Sequence, residues 1–177
     1  MDVVTGAQVA VAVTVRLARE RMWELITAVD RIGEWSPEAL DGAWDGGADG
    51  PGPVSGDRFT ACNRFADGSL GAVTCVVTEA ERPSAFAWTV LDGAGLVGSA
   101  WRYELRDGDE PGSTRVRHSF THGPGVTGAR IAAEADPEAL NRRLVTLCRN
   151  MTTTITAMAS PVSTASTANA DTANGAF

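Results

Sequence analysis

The chain has 177 residues, 44% of them hydrophobic, which is enough for one domain with a substantial core. A formal net charge of -7 excludes the basic stripe that nucleic-acid binding requires and argues against an anionic membrane surface. The apolar runs are too short to span a bilayer, and the N-terminus lacks a signal-peptide pattern, so we expect a cytoplasmic protein that binds neither nucleic acid nor membrane.

Two features of composition restrict the chemistry. All fifteen basic residues are arginine, which excludes a Schiff base on lysine and covalent pyridoxal-phosphate attachment. The three cysteines, Cys62, Cys75 and Cys148, form no C-x-x-C pair and predict neither a zinc site nor a disulfide framework. We interpret them as reduced thiols of the core, and we expect no metal and no cofactor.

The first third of the chain predicts one strand, two short helices and an edge strand. Alternating valines indicate a strand over residues 8–17. Apolar residues at helical spacing then predict helices over 19–27 and 29–35. A short edge strand is expected over 40–44, followed by a loop rich in Gly and Pro over 45–56, which is either a functional lid or a plain surface excursion.

The middle of the chain is all strand. Alternation of apolar and polar residues, bounded by turn residues, predicts strands over 58–65, 72–81, 85–91, 97–106 and 114–122. The connections have the length of hairpin turns, one of them around Asp67-Gly68, so neighbouring strands should be antiparallel. One or two helical turns follow over 129–135.

The last element is a long helix from Asp136 to about Ala159. Asp136 is a good N-cap and Pro137 suits the first helical position. One apolar stripe follows at steps of three and four: Leu140, Leu144, Leu147, Met151, Ile155 and Met158. Residues 161–177 are poor in large apolar side chains and are expected to be a disordered tail, which leaves a single domain over 8–160.

This order of elements predicts an α+β fold. A curved antiparallel sheet of about seven strands would wrap around the long C-terminal helix, with two short helices after the first strand. In such an arrangement the sheet buries one face and the helix buries its stripe, and space remains between them.

Alternation on the last strand places His118 on the same inward face as Val116 and Phe120. An imidazole titrates near neutrality, so His118 is our first candidate for a general acid/base or for a hydrogen bond to a ligand. The alternative is a core histidine satisfied by a neighbouring group. His122 is expected in solvent near the strand end, and about 13 Å between the two excludes a shared metal ion.

Two further polar residues are predicted to face inward. Tyr103 should lie near His118 across the hairpin, where the pair could polarise a carbonyl or move a proton; plain core packing is the alternative. Asn63 shares a face with Phe59 and Phe65, and an amide in such a cavity must find a partner in a ligand, water or neighbour.

The remaining candidates are apolar and would line a ligand pocket or simply form core. From the first helices and the strands they are Trp35, Phe59, Phe65, Trp88, Trp101 and Phe120. From one wall of the last helix they are Leu144, Leu147, Met151 and Ile155. No Ser/His/Asp arrangement and no phosphate-binding glycine loop is present in the sequence.

Several short motifs resemble one family when they are taken in order. They are VTVRLARERMW (13–23), EWSP (34–37), GDRF (56–59) with Asn63-Arg64, ERPSAFAW (81–88), the pair 101–105 and STRV (113–116), and 123–128 with Asn150-Met151. Over residues 8–160 the chain resembles the SRPBCC (START/Bet v 1-like) superfamily of helix-grip proteins, in its bacterial polyketide cyclase/dehydrase branch.

This resemblance implies a hydrophobic cavity for a small, flat or lipid-like ligand, and no universal catalytic residue. The chain departs from the pattern in two places. Leu70-Gly71-Ala72 stands where a tryptophan is expected, and Ser113 replaces the glycine of a G-T pair. Both departures imply a pocket larger than, or different in shape from, those of relatives.

Three functions remain open at this point. The first is an enzyme that cyclises, dehydrates or isomerises a carbonyl-containing biosynthetic intermediate such as a polyketide. The second is a non-catalytic carrier or sensor of a lipid-like or secondary-metabolite ligand. The third is a structural module that uses the outer face of the sheet, which the Arg/Glu-rich pattern there does not favour. The protein would be a monomer or a homodimer.

Overall fold

The computed structural model describes residue 2 and the ranges 4–46, 52–65 and 68–161. The sequence predicts a disordered tail over residues 161–177, and residues 162–177 lie outside the described part. The same holds for the centre of the 45–56 loop and for Asp67 of the predicted hairpin turn.

Seven antiparallel strands form one curved sheet in the order β1-β7-β6-β5-β4-β3-β2. Their bounds are β1 Gln8–Val15, β2 Ala39–Trp44, β3 Arg58–Arg64, β4 Leu70–Glu81, β5 Ala85–Leu91, β6 Val97–Asp107 and β7 Thr114–His122. The predicted strands are confirmed, with ends that shift by one or two residues. β1 and β2 form the two edges.

The helices also follow the prediction. Helix α1 spans Arg19–Thr27, a 3₁₀ helix spans Val29–Glu34, α2 spans Gly128–Ala135 and the long α3 spans Glu138–Ala159. The Asp136 carboxylate accepts a hydrogen bond from the Glu138 N–H at 3.0 Å, so it caps α3 as expected. None of the described helices is long and apolar enough to cross a membrane.

The two faces of the sheet differ as the alternation predicts. The outer face carries charged pairs: Arg102 donates to Glu79 at 2.6 Å, and Arg117 donates to Glu104 at 3.0 Å. Arg102 also contacts Glu104, at 2.9 Å, and its guanidinium holds the pKa of both carboxyl groups below the usual range, with a smaller contribution from Arg117 at Glu104. The inner face is apolar and aromatic, and α3 crosses it, packed against β1, α2 and α1.

The core is tightest at one end of the sheet, where α1 and the second half of α3 meet it. Met22, Phe86, Val116 and Ile155 are at most 1% exposed there. The helix-grip α+β fold that the sequence predicts is thus confirmed.

The cysteines correct one expectation. Cys75 is buried, and burial raises its pKa to about 12. Cys62 is exposed instead, because it lies on the outer face of β3, and Cys148 is half-buried. In the sheet Cys62 pairs with Ala72 and Cys75 pairs with Phe59, so the two cysteines are not cross-strand neighbours.

Candidate functional site

Tyr103 and His118 form the centre of the inner face. The register of β6 and β7 sets them directly opposite one another, as the alternation predicts. Their rings stack with centroids 3.7 Å apart and planes 16° apart. Both side chains are buried, with 3% of Tyr103 and 5% of His118 exposed.

The imidazole of His118 makes no hydrogen bond with any of the described residues. Both ring nitrogens of His118 are fully buried and unpaired. A buried polar atom without a partner carries a desolvation cost of about 1–3 kcal/mol, so native proteins contain few of them. The alternative of a core histidine satisfied by a neighbour therefore does not apply to His118.

Burial without a charged partner decides the protonation of the pair. It lowers the pKa of His118 to about 3 and raises the pKa of Tyr103. The expectation of a near-neutral imidazole was wrong, because the low-dielectric surroundings disfavour the charged form and no carboxylate offsets this. At neutral pH His118 is a neutral group that can donate one hydrogen bond and accept another.

Aromatic rings surround the pair. Trp101 lies 5.6 Å from the His118 ring and stacks on Trp88 with planes 4° apart. Phe120 packs edge-on against Trp101 at 4.8 Å. The Trp101 N–H donates to the Ser99 hydroxyl at 3.0 Å, which fixes the orientation of the indole.

One half of the inner face remains partly open to solvent. Its half-buried residues are Ala61, Asn63, Val73, Trp88, Val90 and Trp101, from strands β3 to β6. We call this set the open half. His118 and Tyr103 lie where the open half meets the closed core around Phe86.

Helix α3 covers this region with the wall that the stripe predicts. Leu147 and Met151 are buried against Phe120, and Ile155 is buried in the main core. Leu144 is half-buried at the edge of the same wall.

The structure also brings the predicted polar and aromatic groups of the β2 side near the open half. Asn63 faces inward and half-buried, and its amide has no hydrogen-bond partner among the described residues. Phe59 is buried and packs against Trp44 and Trp88. Trp35 is half-buried at the end of the 3₁₀ helix, under the guanidinium of Arg31 at 4.9 Å.

Two side chains differ in burial from what the sequence predicts. Phe65 shares the inner face with Asn63, since its ring lies over the inward side of Gly71, but it is 44% exposed because β3 ends at Arg64. His122 is only 2% exposed, although it lies at the strand end, because the following turn folds over it. Its Nδ1 donates to the Gly123 carbonyl and its Nε2 pairs with the Thr127 hydroxyl.

A polar cluster that the sequence did not suggest joins α3 to the β2 edge. Arg143 donates to both carboxylate oxygens of Glu38, at 2.8 and 2.5 Å, and Asn150 donates to the same carboxylate at 3.2 Å. We call these three residues the clasp. Glu38 and Arg143 are more than a hundred positions apart, so no local pattern could have revealed the contact.

Two surface depressions lie elsewhere and are not lined by His118. One, of about 430 Å³, lies over β5–β7 beside Glu79 and Arg102, and its lining includes small side chains and parts of Trp88 and Trp101. The other, of about 540 Å³, lies between α1 and the loop after β2, next to residues outside the described part. The pair His118 and Tyr103 lies under α3 and lines neither depression.

Several solved structures share the fold of this chain. They include the Polyketide_cyc-like protein Cgl2372 from Corynebacterium glutamicum, with a TM-score of 0.59 and 22% identity over 86% of this chain and 88% of that one. XoxI from Bacillus cereus has a TM-score of 0.57 and 14% identity over 86% and 93% of the two chains.

The di-domain ARO/CYC protein StfQ from the steffimycin biosynthetic pathway is also similar. Its TM-score is 0.60 at 16% identity, over 86% of this chain and 49% of the StfQ chain. No curated protein sequence matches the chain significantly.

The sequence itself carries the family assignment. The sequence model described as polyketide cyclase/dehydrase and lipid transport matches residues 6–161, which include every strand and helix of the structure. The helix-grip fold around an aromatic inner face agrees with that match. The chain belongs to the polyketide cyclase/dehydrase and lipid transport family.

Proposed function

We propose that the protein binds a hydrophobic small molecule between the inner face of the sheet and α3, and that His118 and Tyr103 form hydrogen bonds with an oxygen of this ligand. The observation that carries the proposal is the buried imidazole with two unpaired nitrogens. A ligand hydroxyl or carbonyl would supply the missing hydrogen-bond partner and remove the desolvation cost of an unpaired nitrogen.

The surroundings favour an uncharged, flat ligand. On strands β5, β6 and β7, the inward positions carry aliphatic, aromatic, small polar and imidazole groups. The one carboxylate at such a position is Asp107, at the exposed end of β6, where it pairs with Arg19. A charged ligand group would pay a large desolvation penalty there without a partner. The parallel rings of Trp88 and Trp101, half-buried in the open half, offer an aromatic surface for stacking.

Ligand entry requires some side-chain movement, since the ring nitrogens of His118 have no exposed surface. Trp101 is in ring contact with His118 and is itself partly exposed. A rotation of its indole, with loss of the bond to Ser99, would uncover the imidazole from the side of the open half.

The reaction that best fits this site is cyclisation or dehydration of a carbonyl-containing intermediate, in line with the description of the family. Enclosure between the tryptophans and α3 would hold a flexible reactive chain in one folded conformation. The neutral imidazole and the phenol would donate hydrogen bonds to a carbonyl oxygen, a water molecule would take the proton of an adjacent carbon, and the same two donors would stabilise the enolate that results.

A non-catalytic carrier is the second candidate, and one observation favours it. The lowered pKa of His118 makes the imidazole a weak base at neutral pH, so it is better suited to hydrogen bonding than to proton abstraction. The carrier would use the same site and the same contacts, without turnover.

Binding can be tested with a matched pair of probes, naphthalene and 2-naphthol, which differ by one hydroxyl. The wild-type protein should bind 2-naphthol about 3–10-fold more tightly, as expected for one net hydrogen bond. His118→Phe keeps a flat ring beside Tyr103 and should reduce this preference, because only Tyr103 can then bond the hydroxyl, while naphthalene still binds. Fluorescence quenching of the tryptophans at the site measures both affinities.

Two further results would decide the proposal. Tyr103→Phe should reduce the preference for 2-naphthol less than His118→Phe does, since the neutral imidazole that remains can both donate to the hydroxyl and accept from it. If the ratio of the affinities for 2-naphthol and naphthalene is the same in the wild type and in His118→Phe, the hydrogen-bonding role of His118 is refuted. If naphthalene does not bind at all, the site itself is refuted.

Native mass spectrometry of the protein purified from its own host would identify the natural ligand. That ligand can then be incubated with the wild type and with His118→Phe and followed by product analysis. Conversion by the wild type supports the enzyme. A ligand that binds and returns unchanged supports the carrier.

A further inference from the structure

The clasp of Glu38, Arg143 and Asn150 lies between the two elements that enclose the inner face. Helix α3 packs along β1, at one edge of the seven-stranded sheet. Glu38 precedes β2, at the opposite edge, and its carbonyl accepts a hydrogen bond from the Arg64 N–H at 2.9 Å. The clasp therefore bridges the curved sheet from its far edge back to the helix.

The open half lies beneath this bridge. Ala39 pairs with Asn63, so the backbone that carries Glu38 adjoins one of the open-half residues directly. Val73 and Trp88 follow on the next strands toward the centre of the sheet. Among the described residues, the clasp makes the only hydrogen bonds between residues 36–39 and α3.

The chemistry of the clasp is that of a strong but reversible contact. A bidentate Arg–carboxylate pair is shorter and stronger than a neutral hydrogen bond, and Asn150 adds a third donor to the same carboxylate. Yet both charged side chains keep contact with solvent, with 30% of Arg143 and 22% of Glu38 exposed. When the pair separates, water can solvate each partner, so opening leaves no buried charge.

We propose that the clasp is the gate of the ligand site: its opening sets how fast a ligand enters and leaves the space under α3. This inference rests on the proposed function, since it concerns access to the same site. Ser36 stabilises the backbone of the gate, because its hydroxyl accepts hydrogen bonds from the N–H groups of Glu38 and Ala39 at 3.2 and 2.9 Å. Once Glu38 and Arg143 separate, only Ser36 and the pairing with β3 hold this segment, so its backbone opens more often.

The chain offers a matched control one residue away. Arg142 pairs with Asp136, and both are exposed on α3 and its N-terminal cap. Arg142→Gln removes the same charge from the same helical turn as Arg143→Gln, without touching the contact to the β2 edge. A difference between the two variants therefore reports the clasp and not the helix charge.

The test uses 2-naphthol as the probe and stopped-flow tryptophan fluorescence as the readout. Arg143→Gln and Glu38→Gln should each raise the association and dissociation rates about tenfold and change the dissociation constant less than threefold. Arg142→Gln should behave like the wild type. The exchanged pair Glu38→Arg with Arg143→Glu should restore slow exchange, which a general loss of stability would not produce.

Three results would overturn the gate. One is identical kinetics in wild type, Arg142→Gln and Arg143→Gln. Another is a slower dissociation in Arg143→Gln. The third is a weaker affinity with unchanged association, which would make Arg143 a ligand contact instead.

A second readout separates this inference from the proposed function. If 2-naphthol does not bind the wild type, the proposed function fails. Amide hydrogen exchange then still shows whether the clasp opens. Faster exchange over residues 36–42 in Arg143→Gln, but not in Arg142→Gln, supports an opening clasp. Equal exchange in the two variants refutes it.

Discussion

The two histidines of β7 differ in hydrogen bonding although they are the same residue type. His118 and His122 share the inner face and are both buried. His122 has a partner for each nitrogen, the Gly123 carbonyl and the Thr127 hydroxyl, whereas His118 has none among the described residues. The difference comes from the neighbours that the fold supplies: a polar turn for His122 and aromatic rings for His118.

At the residue scale, His118 should make stability depend on pH. Its pKa is about 3 in the fold, against an ordinary value of 6.5, so below pH 6.5 the unfolded chain binds a proton that the folded chain does not. The contribution of the neutral His118 to the free energy of unfolding is therefore fully present above pH 6.5 and is lost as the pH falls toward 3. The slope is at most about 1.4 kcal/mol per pH unit.

Urea unfolding of the wild type and of His118→Phe between pH 4.5 and 7.5 measures this slope (roughly the range in which a histidine titrates). The free energy of unfolding of the wild type should fall more steeply with acid than that of the variant, since the carboxylates are common to both. Parallel curves would show that His118 is protonated normally in the folded protein.

At the element scale, the 3₁₀ helix and β2 are held together by close backbone approach. A Cβ at Gly33 would lie 1.9 Å from the Leu40 carbonyl oxygen, and one at Gly42 would lie 2.5 Å from that of Val29. Both contacts involve backbone atoms that cannot rotate away. Glycine at these positions therefore sets the distance between the two elements and, with it, the place of Glu38.

Gly33→Ala should thus destabilise the protein by about 1–3 kcal/mol through overpacking. Gly128→Ala is the matched control, because nothing lies within 4 Å of a Cβ there and the residue begins α2. Its effect should be neutral or stabilising by less than about 1 kcal/mol. Thermal unfolding by circular dichroism compares the two, and equal melting temperatures would contradict the packing argument.

At the scale of the whole molecule, stability and binding are assigned to different parts of one inner face. The closed core joins α1, the second half of α3 and the ends of the central strands, and its residues are almost entirely buried. The open half exposes two tryptophans and an unpaired amide. A ligand site needs such incompletely packed surface, whereas the free energy of folding comes mainly from the closed core.

The same substitution should therefore cost different amounts in the two parts. Val116→Ala removes methyl groups from a side chain that is 0% exposed, and should reduce the free energy of unfolding by about 1–3 kcal/mol. Val90→Ala, in the half-buried set, should cost less than about 1 kcal/mol but alter naphthalene binding. Chemical denaturation measures the first difference, and a larger cost at Val90 would contradict the division.

The sequence by itself determined the elements, their order and the inward face of each strand. Hydrophobic periodicity and turn residues are local signals, so the valines of β1, the hairpin strands and the α3 stripe could be recognised without any contact information. They also sufficed to bring Tyr103 and His118 to neighbouring positions, because antiparallel pairing across a short loop is nearly determined by its length.

Only the tertiary structure decided the state of those groups. The lowered pKa of His118 and the clasp depend on atoms contributed by distant segments. Desolvation and hydrogen bonding act between neighbours in space, and a residue's own position in the chain does not reveal which groups surround it. That is why the fold could be derived from the sequence while the chemistry of its centre could not.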